Sequence, residues 1–409
     1  MMRWFFFLLV IYALIDYYSF QALKTITKIK WIHYFHIFIT VLVIGNLILQ
    51  FFIINDTGRV LNPFKSYALG FFLTLLVLKL AAFPFLFGED IYRVGVGVYN
   101  KFFGAKEAFQ IPSRRKFISQ IALGIAAIPF VSMLYGMYKG KYDFRVLRYT
   151  LEFDDLPDAF DGYKLTQISD IHSGSFDNKS KIEYAVELIN EQASDVILFT
   201  GDMVNNKASE MLPWLDTFSK LKAKDGKFSI LGNHDYGDYF NWESPQAKHD
   251  NLEQLKQIQK QIGFDLLLNE SRFLEKNGER LAIIGVENWG KGFKSVGDLK
   301  RAASNIHKSD FKILMSHDPT HWEERVIKDD YHYHLTLSGH THGMQFGIEI
   351  PGWIKWSPVK WRYKYWAGIY KEMGQYINVN RGFGFLAFPG RVGIWPEITV
   401  IELKKKQGI

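Results

Sequence analysis

Five short polar blocks recur down the chain, and each follows an apolar run. Asp170-Ile171-His172 follows YKLTQIS, Gly201-Asp202 follows DVILFT, and Gly232-Asn233-His234-Asp235 follows KFSIL. Ser316-His317-Asp318 follows FKILM, and Gly339-His340-Thr341-His342 follows YHLTL. Short runs rich in Ile, Leu, Val, Phe and Thr read as strands, so every block sits where a strand ends. In open α/β sheets, side chains from several loops converge at the carboxyl ends of the strands. Between these runs, Lys179 to Gln192, Ala208 to Lys222, Asn251 to Ile262 and Val296 to Ile306 have helical spacing. Asp225-Gly226 and Asn277-Gly278 mark turns, and RVLRYTLEF alternates as a strand should. The alternation implies an α/β domain.

The residue types in the blocks suit metal ions. In an extended segment residues i and i+2 point the same way, so Asp170 with His172, and His340 with His342, can each present two ligands to one side. Two divalent ions about 3.5–4 Å apart can prepare a nucleophilic water and clamp the oxygens of a phosphate, provided a shared carboxylate holds the spacing. Asp202 is the candidate bridge. Mixed oxygen and imidazole donors favour Mn, Fe, Zn or Co over Mg or Ca. Similar spellings elsewhere carry less weight: Asp330-Tyr331-His332 and His332-Tyr333-His334 lie at the start of a strand run and read as surface or packing groups. His249, His307 and His321 belong to no block and read as exposed or core histidines.

From about Tyr163 to its end the sequence resembles the calcineurin-like metallophosphoesterases, and within them the membrane-anchored bacterial branch. The resemblance implies two mixed β-sheets packed together with helices outside, a four-layer αββα arrangement. It implies that Asp170, His172, Asp202 and His342 bind one divalent metal and that Asp202, Asn233, His317 and His340 bind a second. It also implies that His234 is the general acid protonating the leaving oxygen, with Asp235 orienting it. The second block continues as GDMVNNK, without the Asp-Arg-Gly that such enzymes use on phosphoproteins, which argues against a protein phosphatase. The stretch NRGFGFLAFPGRVGIWPEITVIEL looks like the closing segment of the membrane-anchored branch, and Arg381 and Arg391 are its candidates to meet substrate phosphate. The expected activity is hydrolysis of phosphate mono- or diesters, with a lipid-linked ester as one candidate substrate. Two alternatives stay open: a nucleotide-glycolipid pyrophosphatase, which needs a cytoplasmic site, and a non-catalytic membrane protein that keeps the metals for structure or sensing. An intact His234 speaks against the second, because a structural site has no use for a proton donor.

The chain of 409 residues exceeds one ordinary domain, and its 48% hydrophobic fraction is concentrated in the first third. The expected division is a membrane region over 1–138, a linker with the first strand over 139–160 and the phosphoesterase domain over 161–409. Four candidate spans follow: Trp4 to Phe20, Ile32 to Ile54, Tyr67 to Phe87 and Phe117 to Tyr138, of which the first carries Asp16 and the third Lys79. Gly88 to Pro112 reads as a helix lying along the membrane surface. The first connection has Lys24, Lys28 and Lys30, and the third has Arg93, Lys101, Lys106, Arg114, Arg115 and Lys116. The second has only Arg59 and Lys65. Basic connections stay in the cytoplasm, so the chain is expected in a bacterial inner membrane with everything after Tyr138 outside. Ser113-Arg114-Arg115-Lys116-Phe117-Ile118 also resembles a twin-arginine export signal, with a plain positive anchor as the equal alternative. The net charge of +7 has no basic stripe with base-stacking spacing, so nucleic acid is not an expected partner. There are no cysteines, hence no disulfides and no thiolate ligands. The sequence leaves the oligomeric state open.

One further segment stands out. PGWIKWSPVKWRYKYWAGIY, Pro351 to Tyr370, interleaves Trp353, Trp356, Trp361 and Trp366 with Lys355, Lys360, Arg362 and Lys364. Such a mixture suits the headgroup layer of a membrane; the competing expectation is that the tryptophans pack behind the site.

Overall fold

The computed structural model describes residues 2–54, 62–104, 112–350 and 352–406. Arg59, Lys106 and Pro351 lie outside them. The chain divides into a helical unit, Met1–Asn55 with Phe64–Tyr138, and a second unit that contains everything from Lys139.

The helical unit holds α1 (Met2–Ile26), α2 (Lys30–Ile48, continued by a π-helical turn Leu49–Ile53), α3 (Pro63–Phe103) and α4 (Pro112–Tyr138). Lys30–Ile53, Pro63–Phe103 and Arg114–Tyr138 are long and apolar enough to cross a membrane. Small residues where α1, α3 and α4 meet, Ala22, Ala82, Ala122 and Ala126, let these helices close on one another. The two lone charges of the apolar stretches meet: Lys79 Nζ lies 2.6 Å from Asp16 Oδ1, which also takes His36 Nε2 at 3.0 Å. The segment after Gly88 differs from expectation. Rather than starting a separate surface helix, it continues α3 without a break to Phe103, with Pro84 inside. At 1.5 Å per residue such a helix is about 60 Å long, twice the hydrocarbon thickness of a bilayer.

The second unit opens with β1 (Arg145–Phe153), β2 (Lys164–Ile168), α5 (Lys179–Asn190), β3 (Val196–Phe199), α6 (Leu215–Phe218), β4 (Lys227–Ser229), α7 (Pro245–Ile262) and β5 (Asp265–Leu266). It continues through β6 (Glu270–Lys276), β7 (Glu279–Gly285), α8 (Leu299–Ala302), β8 (Phe311–Met315), α9 (Pro319–Glu324) and β9 (Leu335–Ser338). The last elements are β10 (Ile348–Ile350), β11 (Ile354–Trp356), β12 (Gly368–Glu372), β13 (Gln375–Val379) and β14 (Glu397–Lys405). Two six-stranded mixed sheets result, in the orders β1-β14-β2-β3-β4-β5 and β12-β13-β9-β8-β7-β6.

Side-chain alternation along the strands explains the layering. Val196 and Leu198 of β3 and Ile283 of β7 enter one core with Ile313, Met315, Leu335 and Leu337. Ile197 and Phe199 face the other way, onto Ile182, Ile189, Leu255 and Ile258 of α5 and α7. Ala282 and Ile284 meet Ala302 of α8 and Trp322 of α9. The order helix, sheet, sheet, helix is the expected four-layer arrangement.

Local chemistry sets the helix bounds. Helix α7 begins before Asn251 because Ser244 caps it, accepting from Ala247 N at 3.1 Å with Pro245 in the first turn. Ala208 to Lys222 instead breaks into a 3₁₀ segment, Ala208–Trp214, and the short α6, with Pro213 inside the former. Val296 to Ile306 keeps only the one turn of α8.

Candidate functional site

Strands β2, β3 and β4 run parallel in one sheet and β8 and β9 in the other, and the carboxyl end of each of these five delivers a block. At those ends the backbone is unusual. Asp170, His172, Asp202, His340 and His342 all have φ between 47° and 70°, a region that costs non-glycine residues energy. Strain gathered on the very side chains that carry donors marks the site as functional. Two glycines make the close approach possible: a Cβ on Gly232 would collide with Asp202 Oδ1, and one on Gly339 with Ser169 Oγ and Asp170 Oδ2.

Two groups of donors form. Asp170, His172 and His342 offer ligand atoms within 4.8 Å of one another, and so do Asp202, His317 and His340. Asp202 Oδ2 stands between them, 3.6 Å from His172 Nε2 and 3.1 Å from His317 Nε2. His342 Nε2 is 3.2 Å from Asp170 Oδ1 and 3.0 Å from His172 Nε2. Asn233 joins the second group, its Oδ1 2.8 Å from His340 Nδ1. His317 gives Nδ1 to the Thr200 carbonyl at 2.7 Å, which fixes the tautomer that turns a bare Nε2 toward the carboxylates. That Nε2 and Asp318 Oδ2 are buried without hydrogen bonds.

Electrostatics agree with a cation site. Burial raises carboxylates, yet His342 holds Asp170, and His317 holds Asp202, below the ordinary range. Burial followed by the charge of His342 lowers His172, and burial lowers His340. His317 alone goes up: burial opposes its charge, but Asp202 and Asp170 raise it to about 10. Carboxylates that draw a proton so strongly onto one imidazole would draw a divalent cation into its place. The buried oxygen and imidazole donors therefore fit divalent metal ions.

His234 lies beside both groups. Its ring stands edge-on to His172 at 4.9 Å and against Tyr239 at 4.5 Å, and its Nδ1 meets the Asn205 carbonyl at 2.8 Å. Asp235 has a different task from the expected one. Its carboxylate accepts from the backbone N–H groups of Gly232, Asp202, Met203 and Val204, so it ties two loops together instead of orienting His234. Burial, then the charge of Asp202, push it up to about 7.

The two arginines also need correction. Arg381 is clamped by Glu349 and Glu397, and Arg391 is fully buried, donating to the Gly382 and Gly384 carbonyls with Nη2 3.2 Å from His342 Nδ1. Their donors are taken up inside the protein, which makes them supports of the His342 loop and of the β10 edge, not phosphate contacts.

Sequence reasoning missed Asn205, whose Oδ1 lies 3.1 Å from His172 Nδ1 and whose carbonyl holds His234. It also missed Tyr239 and Tyr363, on Asn233 Nδ2 and His340 Nε2 at 2.9 Å each. Only Asn205 had a visible signal, its place in GDMVNNK. The other histidines of the second unit stay apart from the site: His249, His307 and His332 are exposed, while His321 and His334 are buried elsewhere in the second sheet's surroundings.

Comparison with known proteins agrees with this geometry. Residues 2–141 match the family described as probable calcineurin-like phosphoesterase, transmembrane domain, and residues 163–344 match calcineurin-like phosphoesterase. The uncharacterized metallophosphoesterase YkuE of Bacillus subtilis (strain 168) is 30% identical over 302 residues, covering 71% of this chain and 98% of its own. A transmembrane protein with metallophosphoesterase domain from Danio rerio is 25% identical over 379 residues, 89% of this chain and 78% of its own. An uncharacterized metallophosphoesterase of Helicobacter pylori (strain ATCC 700392 / 26695) is 25% identical over 405 residues, 98% of each chain. With divalent-metal donors gathered at five strand ends and apolar helices before them, the chain belongs to the calcineurin-like metallophosphoesterases, in a form that carries a transmembrane domain.

Proposed function

We propose that the protein is a membrane-anchored phosphoesterase that holds two divalent ions and hydrolyses a phosphate mono- or diester carried by a lipid, on the outer side of the cell membrane. In this reading residues 1–138 form the membrane region, 139–160 the linker with the first strand, and 161–409 the catalytic domain. The observation that carries it is the place of Asp202, one carboxylate between two donor groups with His234 at their side.

Asp170, His172, Asp202 and His342 would hold one ion, and Asp202, Asn233, His317 and His340 the other. Mn, Fe, Zn or Co suits that donor set. When bound, such ions supply a water of lowered pKa and neutralise the phosphate oxygens. The chain's own residues do the rest. Protonated His234 keeps Nδ1–H on the Asn205 carbonyl and offers Nε2–H to the departing oxygen, so the alcohol leaves uncharged. Tyr239 against its ring and Asn205 beneath it limit the ring to one orientation. The outward orientation rests on the lysines and arginines of the first and third connections.

The test is hydrolysis by the full chain in lipid nanodiscs, loaded with each candidate metal and offered mono-, di- and pyrophosphate esters, soluble and lipid-linked. Turnover of esters with at least one metal is expected. Metal binding without turnover of any of them would establish the non-catalytic alternative, and turnover of pyrophosphates alone the nucleotide-glycolipid one.

A further inference from the structure

Most of the second unit hides its large apolar side chains, but one stretch just past the donor loop does not. Trp353, at the turn of the β10–β11 hairpin, and Trp361, in the next 3₁₀ turn, are each 76% exposed. Met344, Ile348 and Ile350 add 60%, 51% and 42% exposure on the same segment. Trp366 behaves differently and is buried with Val359, Tyr363 and Ile394. The segment is therefore anchored at one end and bare at the other.

The charges around the bare end are mostly cationic. Lys355, Lys360 and Arg362 are exposed there, Lys355 with its ammonium on the Ala367 carbonyl. Lys364 is exposed too but paired with Glu372 at 2.8 Å, and the hairpin's acid, Glu349, is engaged by Arg381. Exposed indoles among cations match the headgroup layer of an anionic bilayer, where a ring has an apolar body to bury and a polar edge to keep wet. A second copy of the same face would bring like charges together. A bilayer is also always at hand, since the chain carries helices apolar enough to span one.

We infer that the β10–β11 hairpin and the following 3₁₀ turn form a docking surface for an anionic lipid bilayer, which brings the mouth of the metal site to headgroup depth. The segment is fastened to the donor loop at three points. Thr341 Oγ1 donates to the Trp366 carbonyl at 2.7 Å, Ser357 Oγ to the Gly343 carbonyl at 2.7 Å, and the Tyr363 hydroxyl lies 2.9 Å from His340 Nε2. Whatever holds Trp353 and Trp361 thus holds His340 and His342 at a set height. The inference deepens the lipid-linked reading and rests on it for the substrate, though not for the docking.

The absence of cysteine makes a direct test possible in the full chain. W353C and W361C, each labelled with a polarity-sensitive fluorophore, are placed in nanodiscs with and without phosphatidylglycerol, beside Q254C on the exposed face of α7 as a control. Blue-shifted emission, quenched by brominated lipid and weakened by salt, is expected for the first two and not for the control. Water-like emission at both hairpin positions would overturn the docking surface, as would a shift in detergent that grows with protein concentration, which would mean self-association. In a second arm, the Trp353→Ser, Trp361→Ser double variant should lose roughly tenfold in kcat/KM on a phosphate ester embedded in the disc, since docking acts as effective concentration, yet keep its rate on a soluble aryl phosphate. Equal loss on both substrates would overturn the inference. Docking of a protein that cleaves neither substrate would leave the surface standing and overturn the phosphoesterase reading instead.

Discussion

His234 is oriented by Asn205 and not by its neighbour Asp235: Nδ1 lies 2.8 Å from the Asn205 carbonyl, while the Asp235 carboxylate faces four backbone N–H groups. The adjacent residues of one block therefore serve unlike purposes, which separate variants can distinguish.

Replacing His234 by Ala should lower turnover by about two to four orders of magnitude on an ester with a poor leaving group, with both metals retained. An ester with a good leaving group should suffer less, since it departs without a proton. Asp202→Ala should instead empty the site of metal, as elemental analysis would read. Full activity of the His234 variant on the poor leaving group would remove its assigned role.

Asp235→Ala should act through folding and metal content. It strips the acceptor from buried N–H groups of Gly232, Asp202 and Met203, at a cost of about 1–3 kcal/mol for each group left unsatisfied. Asp235→Asn keeps one acceptor oxygen and should be milder. A thermal midpoint unchanged by Asp235→Ala, with kcat alone reduced, would return the residue to the proton-transfer step.

Stability should fall in mild acid through two buried histidines outside the site. His334 accepts from Lys312 N through Nδ1 at 2.9 Å and His321 Nδ1 meets Ser316 Oγ at 2.8 Å; burial lowers both to about 4. An unfolded histidine titrates near 6.5, so between the two values the unfolded chain binds more protons. Their contribution is complete above about pH 6.5 and is lost as the pH falls toward about 4, at about 3 kcal/mol for each. Melting of the full chain across this range checks it, and His321→Gln with His334→Gln should flatten the curve.

In the helical unit, Asp16→Asn alone should destabilise by about 3–5 kcal/mol, because it strands the buried Lys79 ammonium, while Lys79→Met should cost less, because Asp16 is only half-buried and keeps His36 and Thr40. The double variant should cost less than the sum of the two. Additive losses, read as unfolding midpoints in detergent, would show that the pair is not coupled.

The orientation is open to a reporter fused after Ile409. One active only outside the cytoplasm should be on, given the basic first and third connections. Signal solely from a cytoplasm-dependent reporter would reverse the topology and revive the nucleotide-glycolipid reading.

The strands that carry the site were legible because each is a short apolar run ended by a polar block, and both signals are local. Lys164–Ile168, Val196–Phe199 and Phe311–Met315 fall within the runs that announced them. The tasks of Asp235, Arg381 and Arg391 were not legible. Each depends on partners distant in sequence, such as Met203 for Asp235 or Glu349 for Arg381. A carboxylate that gathers backbone N–H groups and one that orients an imidazole look the same as a letter in a chain. Helix ends failed for a related reason: Ser244 and Pro245 show where α7 begins only once capping outweighs apolar spacing.

Each donor group draws from both sheets: Asp170 and His172 follow β2 and His342 follows β9, while Asp202 follows β3 and His317 and His340 follow β8 and β9. An ion captured by either group is thus a rivet through the seam of the sandwich. Loading the metals and closing the two sheets at that rim become one thermodynamic event, so chelation should loosen the carboxyl-end loops as a set, in hydrogen exchange, while the shared core beneath them stays protected.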